Sequence, residues 1–122
     1  MSPTAAMEAA YAGHIAGALL IPVLTGLSAE DLPQEKSFVV VSCDECQHLG
    51  AGFYRGTVVV TLRTHALDQS AQVHSGYWQQ VSEALQTVPA PVRGHFRNEQ
   101  ANDREDHYWL TRETLTVGLA AN

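Results

Sequence analysis

Between Gly50 and His65 a glycine-broken turn runs straight into β-branched residues, Gly56-Thr-Val-Val-Val-Thr-Leu-Arg-Thr64, and that junction constrains the fold more than any other stretch. Alternation along it sends Val58, Val60 and Leu62 to one side and Val59, Thr61 and Arg63 to the other, the period of a strand. Phe38-Val-Val-Val-Ser-Cys43 before the turn reads as a second strand with apolar residues on both faces. The two are expected to pair antiparallel.

Helical signals flank this pair. Ser2 followed by Pro3 is a capped helix start, and Met7, Tyr11, Ile15, Ala18 and Leu19 follow at helical spacing until Pro22 ends or kinks the helix, with Gly26 at the exit. Ser28 and Asp31 have the spacing of a capping box for a short turn. A second helix is expected over about Gln69–Val88, capped by Asp68 and stopped by Pro89-Ala-Pro91. Val73, Tyr77, Val81, Ala84 and Leu85 would line its apolar side, with Trp78 on the flank. Val92–Asn98 reads as a weak strand and Glu99–Asp106 as a polar loop. A last strand, His107 to about Leu119, puts Trp109, Leu115, Val117 and Leu119 on one face. The expectation is an α+β fold, order α-β-β-α-β-β, with two helices packed on one antiparallel or mixed sheet.

The 122 residues suit a single domain, 1–122. Such a chain buries roughly two-thirds of its unfolded surface and needs no staples. Thirteen acidic against seven basic residues give a formal charge of −6, with Lys36 the sole lysine. That balance opposes attraction to a phosphate backbone, so no direct nucleic-acid binding is expected. The apolar run Ile15–Leu27 is too short for a bilayer, which takes about 20 residues, and Met1-Ser-Pro-Thr has no basic signal region. Synthesis in the cytoplasm and no membrane partner follow as expectations.

Chemical signals are sparse. Cys43-x-x-Cys46-x-His48 offers the ligand types zinc prefers, and His65, His74 or His107 would have to complete a site. A small zinc-binding or regulatory module built on Cys43, Cys46 and a histidine is therefore the alternative function. The plainer reading is a small buried residue at a strand end beside an exposed thiol. The cysteines follow a strand instead of opening a helix, which disfavours a redox motif. Gly50-x-Gly52-x-x-x-Gly56 leads into a strand, so turn geometry explains it better than a phosphate cradle does. His14 reads as a satisfied core histidine. No nucleophile elbow or His-Glu-x-x-His pattern occurs, and no enzyme activity, cofactor or resident metal is expected.

Phe38–Cys43, Gly52–Thr64 and Val73…Trp78-Gln-Gln-Val-Ser-Glu-Ala-Leu85 together resemble the tail-terminator or tail-completion proteins of long-tailed bacteriophages, over roughly residues 10–119. Val81 and Leu85 hold the last two apolar positions of the family's helix. The resemblance implies an α+β virion subunit that forms a homo-oligomeric, hexameric ring. That ring sits at the head-proximal end of the tail, between the tail tube protein and the head connector or stopper protein. It implies no catalytic residues, and the CxxC is no part of the family pattern. The segments Gln47–Phe53 and Gln100–Asp106 are the expected contact loops, with His48, Tyr54, Arg55, Arg97, Asp103 and Glu105 as candidate subunit-interface residues.

Overall fold

A computed structural model describes residues 2–26, 37–67, 69–105 and 107–120. The expected turn at Ser28–Asp31, the Asp68 cap and Asp106 lie outside the described residues. The elements are α1 (Pro3–Ala16), β1 (Val23–Thr25), β2 (Ser37–Gly50), β3 (Phe53–His65), α2 (Ala71–Ala84), β4 (Val92–Glu105) and β5 (Tyr108–Ala120). They form one five-stranded sheet in the order β1-β2-β3-β5-β4. β1 runs parallel to β2 and every other pairing is antiparallel, so the α+β class holds with a mixed sheet.

α1 begins as its cap dictates: Ser2 Oγ accepts from the Ala5 amide at 3.1 Å and Pro3 opens the first turn. Met7, Tyr11 and Ile15, one turn apart, are buried. The helix stops at Ala16, earlier than Pro22, with Gly17 as its C-cap. The chain past Pro22 then becomes β1: the Pro22 carbonyl accepts from Val39 N at 2.9 Å, and Gly26 N donates to Val41 O at 3.2 Å. The broken apolar run is thus a short added strand, which alternation cannot reveal over three residues.

β3 follows the sequence reading. Val58, Val60 and Leu62 are fully buried, each worth about 1.5–3 kcal/mol of burial. Val39 and Val41 on β2, and Leu115 and Val117 on β5, share that face. Both helices lie there: Tyr11 reaches His95, and His74 lies between Thr64 and Thr111. α2 is capped by Ser70, whose Oγ accepts from Val73 N at 3.3 Å. Its buried face is His74, Trp78, Val81 and Leu85, so Trp78 belongs to the core and Val73 is exposed.

Two expected loops are strand instead. β2 continues through the CxxC to Gly50, and β4 continues through the polar stretch to Glu105. Backbone pairing with β3 and β5 holds these exposed residues, where side-chain burial gives no pattern to read. The turn joining β2 and β3 carries positive φ at Gly50, Ala51 and Gly52 (103°, 52° and 80°), as the glycine spacing anticipates. Gly56 serves a different purpose: a Cβ there would lie 2.5 Å from Met7 Sδ, so its absence lets α1 seat on the sheet.

Candidate functional site

The sheet's helix-free face has two chemically opposite ends. At one, the β2–β3 turn and the start of β4 come together because β5 pairs with both β3 and β4. Leu49, Phe53 and Phe96 stand exposed there, Phe96 by 71% and Phe53 by 52%. Gly94 and Gly118, which lack side chains to fill the space, complete an open groove of about 360 Å³. The charged residues lining it are Arg55 and Arg93. Arg55 Nη2 donates to Gln47 Oε1 at 3.2 Å, which directs it along the hairpin. At the other end, β4 presents Glu99, Asp103 and Glu105 exposed on the same face. Arg55 is in register with Gly118 and Asp103 with Leu110, so the ends lie about 27 Å apart, eight residues of β5.

The candidate interface residues divide between these regions. Arg55 lines the groove on the helix-free face, whereas Tyr54, its neighbour on β3, turns its ring to the opposite face and packs half-buried against the core. Asp103 and Glu105 lie at the acidic end. His48, across from Tyr54 with ring centroids 4.8 Å apart, flanks the hairpin tip. Glu105 also meets Arg63 at 3.7 Å. Arg97 points inward, to the helix-covered face. Its Nε and Nη2 donate to the two oxygens of buried Glu113 at 2.5 and 2.6 Å, and it also donates to Ser82 O and Oγ at 3.2 and 3.0 Å. The hydrogen bonds to Glu113 hold the guanidinium's proton more tightly than usual. The contribution of Phe53 and Phe96 is not visible in sequence, because only the strand order brings them to one end.

Arg97 belongs to a set that finishes α2. His14 Nε2 donates to Ala84 O at 2.7 Å and His95 Nε2 to Leu85 O at 2.8 Å, while Arg97 takes Ser82 O. The last carbonyls of a helix have no partner within it, and three side chains from α1 and β4 supply one. His14 is thus the satisfied histidine its position suggested. His95 Nδ1 accepts from the buried Tyr11 hydroxyl at 2.6 Å, and burial raises that phenol far above the usual range.

A second constellation has the outline of a catalytic relay: Asn102, Thr111, His74 and Thr64. Thr111 donates to Asn102 Oδ1 at 2.9 Å, so it accepts from His74 Nε2–H at 2.7 Å, and Nδ1 accepts from the Thr64 hydroxyl at 2.9 Å. Burial lowers the His74 pKa, which favours the neutral ring. Thr64 is fully buried, and its proton is directed at the ring. The group ties α2 to β3 and β5; it offers no substrate an accessible nucleophile.

Among the described residues no histidine joins the two cysteines, and His48 of the motif pairs with the Tyr54 ring instead. Of the three proposed to complete a zinc site, His74 has both nitrogens engaged by threonines, and His65 lies near His107, with ring centroids 6.2 Å apart. That pair sits about 23 Å along β3 from the residue facing Cys43. Among the described residues no group of three or more His, Cys, Asp or Glu side chains converges on one point.

Among the described residues no helix is long and apolar enough to cross a membrane. No family model matches the chain, and no curated protein matches it. Its fold is shared by a chain from a solved structure of the virion of a native gene transfer agent (GTA) particle, with a TM-score of 0.65 over 98% of both chains and 13% identity.

Proposed function

We propose that this chain is a non-catalytic structural protein of a phage or prophage virion, its 122 residues acting as one domain. The finer assignment is a tail terminator or completion protein. It forms a homo-oligomeric ring, a hexamer, at the head-proximal end of the tail tube and joins that tube to the head connector. The observation that carries this reading is the helix-free sheet face, with a basic-rimmed apolar groove at one end and exposed carboxylates at the other. Contact between unlike surfaces of successive copies builds rings when the rotation closes. Burying Phe53, Phe96 and Leu49 against a neighbour would also remove an apolar patch from water. The fold shared with a virion chain and the family resemblance of the β2–β3–α2 region point the same way.

Arg55, Asp103 and Glu105 are the interface residues this arrangement uses directly, and Tyr54 and His48, whose rings pair on the other side of the hairpin, border it. Arg97 contributes by fixing β4 against α2. The test is native mass spectrometry of the purified protein alone and after incubation with isolated tail tubes, beside a Phe53→Asp/Phe96→Asp variant. A closed oligomer that the variant cannot form, with circular dichroism unchanged, is the expected result. A wild type that stays monomeric alone and leaves the tubes bare overturns the assignment.

A further inference from the structure

The two cysteines are placed by a β-bulge. In an uninterrupted strand, residues three apart face opposite ways. Between Cys43 and Glu45 the register shifts, so Cys43 faces Val58 and Cys46 faces Gly56. Val58 and Gly56 are two apart on β3, which returns Cys46 to the same face as Cys43, the face under α1. Met7 packs onto this part of the face from α1. Its Sδ lies 3.9 Å from Cys43 Sγ, and it stands directly over Gly56, the residue across from Cys46.

We infer that Cys43, Cys46 and Met7 form a binding site for a soft monovalent metal ion of the cuprous class, held by two thiolates and one thioether. Two sulfurs bound to one trigonal ion at a metal–sulfur distance of about 2.3 Å stand about 4.0 Å apart, the separation Cys43 and Met7 already have. Thioether with thiolate selects Cu(I), whereas zinc favours four ligands drawn from thiolate, imidazole and carboxylate. Among the described residues that fuller set does not converge here. Access is through Cys46, which is exposed; Cys43 is half-buried and Met7 fully buried.

Loading converts two thiols to thiolates, so one Cu(I) enters and two protons leave, with no change in oxidation state. Burial, then the neighbouring Cys46, Glu8 and Asp44 charges, push the Cys43 thiol up, against a lowering hydrogen bond from Thr4. Uptake therefore strengthens as pH rises, by up to about 100-fold per pH unit while both thiols remain protonated.

The probe is Cu(I) itself, delivered anaerobically to the full chain from a chromophoric chelator such as bicinchoninate. One Cu(I) per chain is expected, with X-ray absorption showing three sulfur neighbours and a tenfold excess of zinc failing to displace it. Cys46→Ser, at an exposed position, abolishes stoichiometric uptake. Met7→Leu, which conserves volume, lowers affinity at least tenfold and leaves a two-sulfur spectrum. A wild-type chain that takes no copper from the chelator overturns the inference, as does a folded Met7→Leu protein with unchanged affinity and spectrum. Should Met7→Leu fail to fold, the wild-type sulfur count decides: two neighbours refute the Met7 ligand.

Discussion

Replacing Arg97 by methionine should cost the domain about 3 kcal/mol. Glu113 is 4% exposed at its side chain, and Arg97 supplies both of its charged contacts, at 2.5 and 2.6 Å. Removing one partner of a buried pair typically costs about 3–5 kcal/mol, because the remaining charge stays desolvated. The Arg97 side chain is 30% exposed, which places this case at the low end. The Ser82 carbonyl loses its side-chain donor as well, a share of about 1 kcal/mol. At about 2.1 cal/mol/K per residue, 122 residues unfold with an entropy near 0.26 kcal/mol/K, so about 3 kcal/mol lowers Tm by about 12 °C. Arg97→Met/Glu113→Leu removes the stranded charge and should recover most of the loss, leaving about 1 kcal/mol from Ser82. Urea titration and calorimetry of wild type, single and double variants measure this. A single variant within 1 kcal/mol of wild type, or a double variant no better than the single, would refute the ion pair as the clamp between α2 and the sheet.

Two further outcomes follow from local geometry. His74 has its folded pKa lowered from 6.5 by burial, so the unfolded chain binds the proton first and stability falls as pH drops below about 6.5, levelling off once the folded ring also titrates. His74→Gln should flatten that slope in pH-dependent melts; an unchanged slope would assign it to other groups. Ala51 sits at φ 52° in the β2–β3 turn, where a Cβ costs about 1–2 kcal/mol. Ala51→Gly should therefore raise stability by about 0.5–1 kcal/mol after its entropic cost, read as a higher urea midpoint; a lower midpoint would contradict the strain.

The strands that bury side chains were legible, and those that do not were not. Val58, Val60 and Leu62 declare β3 because alternation and burial coincide there. β4 beyond Asn98 shows only exposed polar residues, and its existence depends on the β5 backbone opposite. Asp44–Leu49 on β2 is the same case, which is why the CxxC read as following a strand when it lies inside one. On α2 the 3.6-residue period identified the helix, yet Val73 drew the face one residue off from buried His74, a polar side chain whose threonine partners lie on other strands. The Arg97–Glu113 pair, the carbonyl-binding histidines and the apolar groove all join residues far apart in the chain. Nothing local marks them; strand order alone brings them together.

The way α2 ends also bears on the order in which the molecule can assemble. Its last turn gains its long-range donors only when residue 14 has come to residue 84, whose carbonyl Thr87 also caps locally, and residues 95 and 97 to residues 85 and 82. Closing the first of these contacts spans 70 residues, and that loop entropy must be met before the bond returns anything. An isolated helix of this length is marginal in water, so the C-terminal turn of α2 belongs to the late part of folding. By then the β3–β5 pairing and the seating of α1 have set the frame. The end of α2, where Leu85 is fully buried, is by this reasoning among the last pieces of the fold to become fixed.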